Sequence, residues 1–117
     1  MFKFETLDIW KESVAFVSEV YQLTHKFPKS EQYNLTSQLN RVAVSISLNI
    51  AEGSARKTKA DFKRFIQISL GSLNEIVTCL YIALNQKIIS QKDFDLYYKQ
   101  CEKISRMLYG FMKFLNK

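Results

Sequence analysis

At 117 residues, with 47% hydrophobic and 14% aromatic side chains, the chain is long enough for one core, too short for two, and too apolar for intrinsic disorder. Three Gly and a single Pro cannot supply the tight turns of an all-β protein, so few, long elements are expected. Seventeen Lys and Arg against eleven Asp and Glu leave a net charge of +6, which directs attention to polyanionic partners and says nothing about fold.

Taken in chain order, the apolar residues recur at helical spacing. The first predicted helix covers about residues 7–26, with Thr6 as N-cap and Pro28 as its stop. Leu7, Trp10, Val14, Val17 and Tyr21 form its seam, and Ile9, Phe16, Val20 and Leu23 fall on a neighbouring sector. The second, about residues 33–54, turns Leu35, Leu39, Val42, Ile46 and Ile50 inward, with Val44, Leu48 and Ala51 on a separate apolar sector and Gly53 marking its exit. The third, about residues 58–85, opens at Thr58 with Asp61 three positions on and runs along Phe62, Phe65, Ile66, Ser69, Leu73, Ile76, Leu80 and Leu84. Gly71 and Ser72 interrupt it without breaking it and are read as allowing close helix approach. The fourth, about residues 90–115, starts at Ser90 with Asp93 in its first turn and carries a heptad seam of Phe94, Tyr97, Cys101, Ile104, Leu108, Phe111 and Leu115. Short connections make neighbours antiparallel, so the expected fold is all-α: an up-down-up-down four-helix bundle forming a single domain over residues 1–117.

One stripe per helix suffices for such a bundle. Ile9, Phe16, Val20 and Leu23 on the first helix, and Val44 and Leu48 on the second, are therefore surplus, and contiguous apolar surface of this kind marks an interface. A second copy of the chain is the expected cover; the alternative is a broad core in which both sectors face inward. Cys79 and Cys101 sit in apolar helical segments and are read as buried, reduced thiols. The chain opens with no signal-like segment, and its longest nearly apolar run, residues 77–84, is too short to span a bilayer, so a cytoplasmic protein with no membrane partner is expected.

Catalysis fails by counting. His25 is the only histidine, beside Lys26 at a helix end and with no nucleophile at helical spacing. No Glu-x-x-His pair exists for a di-metal bundle, one His and two separated Cys cannot close a zinc site, and no phosphate-binding glycine motif occurs. No enzyme, metal or cofactor is expected.

Two basic features remain. Arg56, Lys57, Lys59, Lys63 and Arg64 surround the start of the third helix, where backbone N–H groups and the helix dipole add attraction for phosphate. On the fourth helix Lys92, Lys99, Lys103, Arg106, Lys113 and Lys117 form one stripe opposite the seam, bordered only by Asp95 and Glu102. An ordinary solvated face would mix signs more evenly. Such residues suit sequence-independent binding of RNA or DNA that weakens with salt. A polar strip of Arg41, Ser45, Asn49 and Glu52 lies between the apolar sectors of the second helix, where Glu52 or Arg41 is expected to make a charged hydrogen bond within or between subunits.

The run Leu35-Thr36-Ser37-Gln38-Leu39, then Arg41, Ala43-Val44-Ser45-Ile46 and Asn49-Ile50-Ala51-Glu52-Gly53, resembles the ribosomal-RNA intervening-sequence proteins. Phe65, Leu70-Gly71-Ser72-Leu73 and Glu75 fit the same pattern, as do Leu7, Trp10 and the Lys26-Phe27-Pro28 turn, whereas Ser47 stands where that pattern often has Pro. The resemblance implies a bacterial four-helix bundle that forms homopentamers and whose role is not established. The chain is similar also to the accessory protein of diversity-generating retroelements, a basic pentameric bundle that binds nucleic acid and a reverse transcriptase. By that likeness the partners would be other copies of the chain, RNA or DNA, and a nucleic-acid-handling protein, with Glu75 joining the polar strip. The competing reading is a protein-interaction scaffold whose charge meets no nucleic acid.

Overall fold

A computed structural model describes residues 1–117. Four α-helices, α1 (Asp8–His25), α2 (Ser37–Ser54), α3 (Lys59–Asn85) and α4 (Gln91–Leu115), build an all-α bundle 44 × 22 × 20 Å in extent. The direction of each helix follows from its cross-contacts. Ser69 of α3 donates to the Ile46 carbonyl of α2 while residues 62 and 65 lie against Gly53; Glu12 of α1 meets Lys103 of α4 while the Glu19 carbonyl meets Tyr97. In each pair one number falls as the other rises, and the Phe62–Phe111 and Tyr81–Phe94 ring pairs show the same for α3 and α4, so all sequential neighbours are antiparallel.

Local chemistry sets the helix ends. Thr58 and Ser90 act as the N-caps read from the sequence, their hydroxyls accepting the Asp61 and Asp93 amides at 3.1 Å each. Thr6 does not cap α1: its hydroxyl donates back to the Lys3 carbonyl inside a short 3-10 turn (Lys3–Thr6), and Leu7 is the cap residue. A 3-10 turn (Lys29–Glu31) and a π-helical turn (Gln32–Thr36) precede α2, with Asn34 far from helical geometry, so the regular helix starts at Ser37 rather than near 33. Gly53 lies within the last turn of α2, not beyond it. A Cβ there would come within 2.8 Å of Phe62 and of the Phe65 Cβ, so the glycine is required for the close approach of α2 and α3.

The core runs the length of the bundle and contains every residue of the expected α2 seam, most of α3 and most of α4, with Leu84 and Phe111 half-buried. On α1 the expectation reverses. Ile9, Phe16, Val20 and Leu23 are the core face, each at most 6% exposed, whereas Trp10 and Val17 are half-buried and Val14 and Tyr21 exposed. Ser13 occupies the gap in that stripe, fully buried, its hydroxyl satisfied by the Trp10 carbonyl at 2.7 Å. By length and apolarity α3 could cross a membrane, which the run 77–84 alone did not suggest, but its apolar face is spent on the core between α2 and α4.

Candidate nucleic-acid interface

The topology gathers four chain segments at one end of the bundle: the N-terminus, the α2–α3 connection, the start of α3 and the end of α4. Lys59 Nζ donates to the Lys117 main-chain oxygen and Lys63 Nζ to Asn116 Oδ1, both at 2.9 Å, which fixes the end of α4 beside the first turns of α3. Residues 1–7, 52–64 and 110–117 together hold eight basic and three acidic side chains, so this end carries five of the chain's six net positive charges.

Within that end, Arg56 and Arg64 place their guanidinium carbons 4.6 and 4.8 Å from the centre of the Phe65 ring. Each is also ion-paired, Arg56 with Glu52 at 2.6 Å and Arg64 with Asp61 at 3.3 Å. The remaining six cations, Lys3, Lys57, Lys59, Lys63, Lys113 and Lys117, have no acidic side-chain partner. The Lys117 main-chain oxygen holds Lys59, and the Asn116 amide oxygen holds Lys63 without neutralising it.

All five residues expected around the start of α3 thus lie together, and Lys3, Lys113 and Lys117 join them. The rest of the α4 stripe does not. Lys99 and Lys103 lie roughly 20–27 Å from the chain end at 1.5 Å per residue, and Lys103 is committed to Glu12 of α1 at 2.6 Å. Arg106 is exposed beside the α3–α4 groove, midway along α4. Lys99, Lys103 and Arg106 therefore do not belong to the basic end, because a stripe along one helix spreads over its whole length.

The polar strip also separates. Arg41 contacts Gln38, and Glu52 bonds Arg56 one turn on, so Glu52 has its charged partner within the chain but Arg41 and Glu52 never meet. Ser45 and Ser72 hydroxyls lie 2.7 Å apart; because the Ser45 proton serves the Val42 carbonyl at 2.7 Å, Ser72 is the donor between them. Asn49 donates to the Ser45 carbonyl at 2.8 Å. Glu75 is exposed on α3 and touches none of these; its charge adds to burial in raising the Cys79 thiol.

A second surface lies on the opposite side of α1 from α4. Thr24 of α1 bonds Asn40 of α2 at 2.8 Å, which marks the α1–α2 seam. Stepping 100° per residue, Trp10, Val14, Val17 and Tyr21 lie within about 80° of Thr24 and away from the α4-facing Glu12 and Glu19. Val44, Leu48 and Ala51 lie within about 80° of Asn40 on the outer side of α2. The two sets flank one groove, with Leu48 62% exposed. Surplus apolar surface is therefore present, and Val44 and Leu48 are part of it; Ile9, Phe16, Val20 and Leu23 are not, since the core already buries them.

The chain matches the family model described as "23S rRNA-intervening sequence protein" over residues 5–110. No curated protein matches it significantly. A crystal structure of a protein with unknown function from the S23 ribosomal protein family of Bacteroides thetaiotaomicron VPI-5482 is similar in fold, with a TM-score of 0.82 at 21% identity, covering 90% of this chain and 95% of that one. With the match extending over nearly all of the bundle, this chain belongs to the 23S rRNA-intervening sequence protein family.

Proposed function

We propose that this protein is a non-enzymatic, cytoplasmic homo-oligomer, a pentamer as its family resemblance implies, that binds RNA or DNA through the basic end of its bundle. The observation that carries the reading is the concentration of charge: six lysines without acidic side-chain partners and two arginines over the Phe65 ring, gathered around the first turn of α3. Self-association is supported by the uncovered apolar groove between α1 and α2. The non-enzymatic part of the reading is supported by the side chains available: the single histidine, His25, is exposed at a helix end, and both cysteines are buried.

Charge reversal tests the interface. Lys59→Glu, Lys63→Glu and Arg64→Glu combined abolish polynucleotide binding at low salt, measured by fluorescence anisotropy, while circular dichroism shows the helices intact. Undiminished binding by the triple variant removes this surface from consideration. Crosslinking in cells followed by sequencing of attached nucleic acid identifies whether RNA or DNA is bound.

A further inference from the structure

The basic end also exposes aromatic rings, Phe2 and Phe114. Phe62, Phe111 and Phe114 form a series leading from the core to solvent, with ring centres 5.1 Å apart for the first pair and 5.7 Å for the second. Phe62 is buried, Phe111 half-buried and Phe114 64% exposed. These rings line one wall of a cleft of about 250 Å³ whose rim carries Lys3, Arg56, Lys57 and Lys59. Beside it the exposed Phe2 stacks on Phe4, ring centres 5.8 Å apart and planes 16° from parallel.

An exposed phenyl ring has no use in phosphate binding, and lysines have none in an apolar cleft; together they match one ligand chemistry. Duplexes offer phosphates outside and keep base faces stacked inside, so a ring at the surface gains nothing from them. A single strand offers an anionic backbone and free aromatic faces at once, which is how cationic grooves with aromatic platforms hold unpaired nucleic acid. We propose that the basic end selects single-stranded over double-stranded nucleic acid, seating an unpaired base in this cleft against Phe114 while the rim lysines hold the adjoining phosphates. This rests on the reading of the basic end as a nucleic-acid surface and specifies what it takes.

The test compares a fluorescein-labelled oligouridylate with the same strand annealed to oligoadenylate, titrated with the full chain. Parent protein binds the single strand more tightly. Phe114→Ala weakens single-strand binding by about tenfold, as expected for loss of one stacked base, and leaves duplex binding unchanged. Phe114→Trp restores it. The loss persists at raised salt, because stacking releases no counterions, whereas losses from lysine substitution shrink as salt rises. Equal affinity for both ligands, with Phe114→Ala moving neither, overturns the selectivity while leaving the basic surface intact. Failure of both ligands to bind overturns the surface itself and this inference with it. A changed particle mass for Phe114→Ala in light scattering, with unchanged oligonucleotide affinity, assigns the ring to contacts between copies and also overturns it. Since Phe114 is largely exposed, the substitution leaves folding intact.

Discussion

Neutralising Lys59 and Lys63 offers a quantitative check on the basic end. Six of its eight cations lack an acidic side-chain partner; Arg56 and Arg64 are paired with Glu52 and Asp61. If all six neutralise phosphates of a single strand, each releasing about 0.7 counterions, log K falls against log salt with a slope of about −4. Raising salt from about 50 to about 200 mM then weakens binding by about 300-fold. Lys59→Gln and Lys63→Gln together remove two phosphate contacts and flatten the slope by about 1.4, so the same salt change costs about 50-fold. Both lysines bond acceptors just past the end of α4, and glutamine can keep a weaker version of those bonds, so the change reports charge more than structure. Anisotropy titrations at four or more salt concentrations measure the slopes. An unchanged slope in the double variant would refute the assignment of these lysines to phosphate, and a flat slope in the parent would refute the electrostatic account altogether.

Three further outcomes follow from the packing. Gly53→Ala gains about 1 kcal/mol of helix propensity but must displace Phe62 and Phe65, at an overpacking cost of about 1–3 kcal/mol, so it is neutral to destabilising; Gly71→Ala meets no atom within 4 Å and stabilises by up to about 1 kcal/mol. Urea unfolding at matched concentration separates the two, and a stabilised Gly53→Ala contradicts the close approach. Leu48→Arg places a charge in the α1–α2 groove and lowers the particle mass seen by light scattering, without loss of helicity; a parent that already runs at 13.7 kDa contradicts assembly through this face. Burial pushes the Cys101 thiol from the ordinary 9.0 up to about 12, so above about pH 9 the unfolded chain releases a proton that the folded one keeps. Stability therefore falls with rising pH by up to about 1.4 kcal/mol per unit from this group, Cys79 and Tyr97 acting in the same direction. Comparing urea midpoints at about pH 8 and about pH 10 checks it, with Cys101→Ala expected to show a shallower decline.

The number of helices, their caps at Thr58 and Ser90 and the inward faces of α2, α3 and α4 were legible in the sequence, because each of those faces carries one dominant apolar stripe and each cap a local hydrogen bond. The five basic residues around the start of α3 were legible for the same reason: they are close in sequence. Only the tertiary structure decided which of two comparably apolar stripes of α1 faces the core. Periodicity cannot choose between equal stripes; the choice depends on which one meets complementary neighbours, and the small Ser13 in the buried stripe disguised it. Nor could the sequence bring Lys3, Phe114 and Lys117 to the start of α3, or send Lys103 away to Glu12, since those placements arise from antiparallel packing between segments dozens of residues apart. What the chain determines locally is the shape and charge of each helix; what the fold decides is which ends share a surface, and the cleft beside Phe114 exists only there.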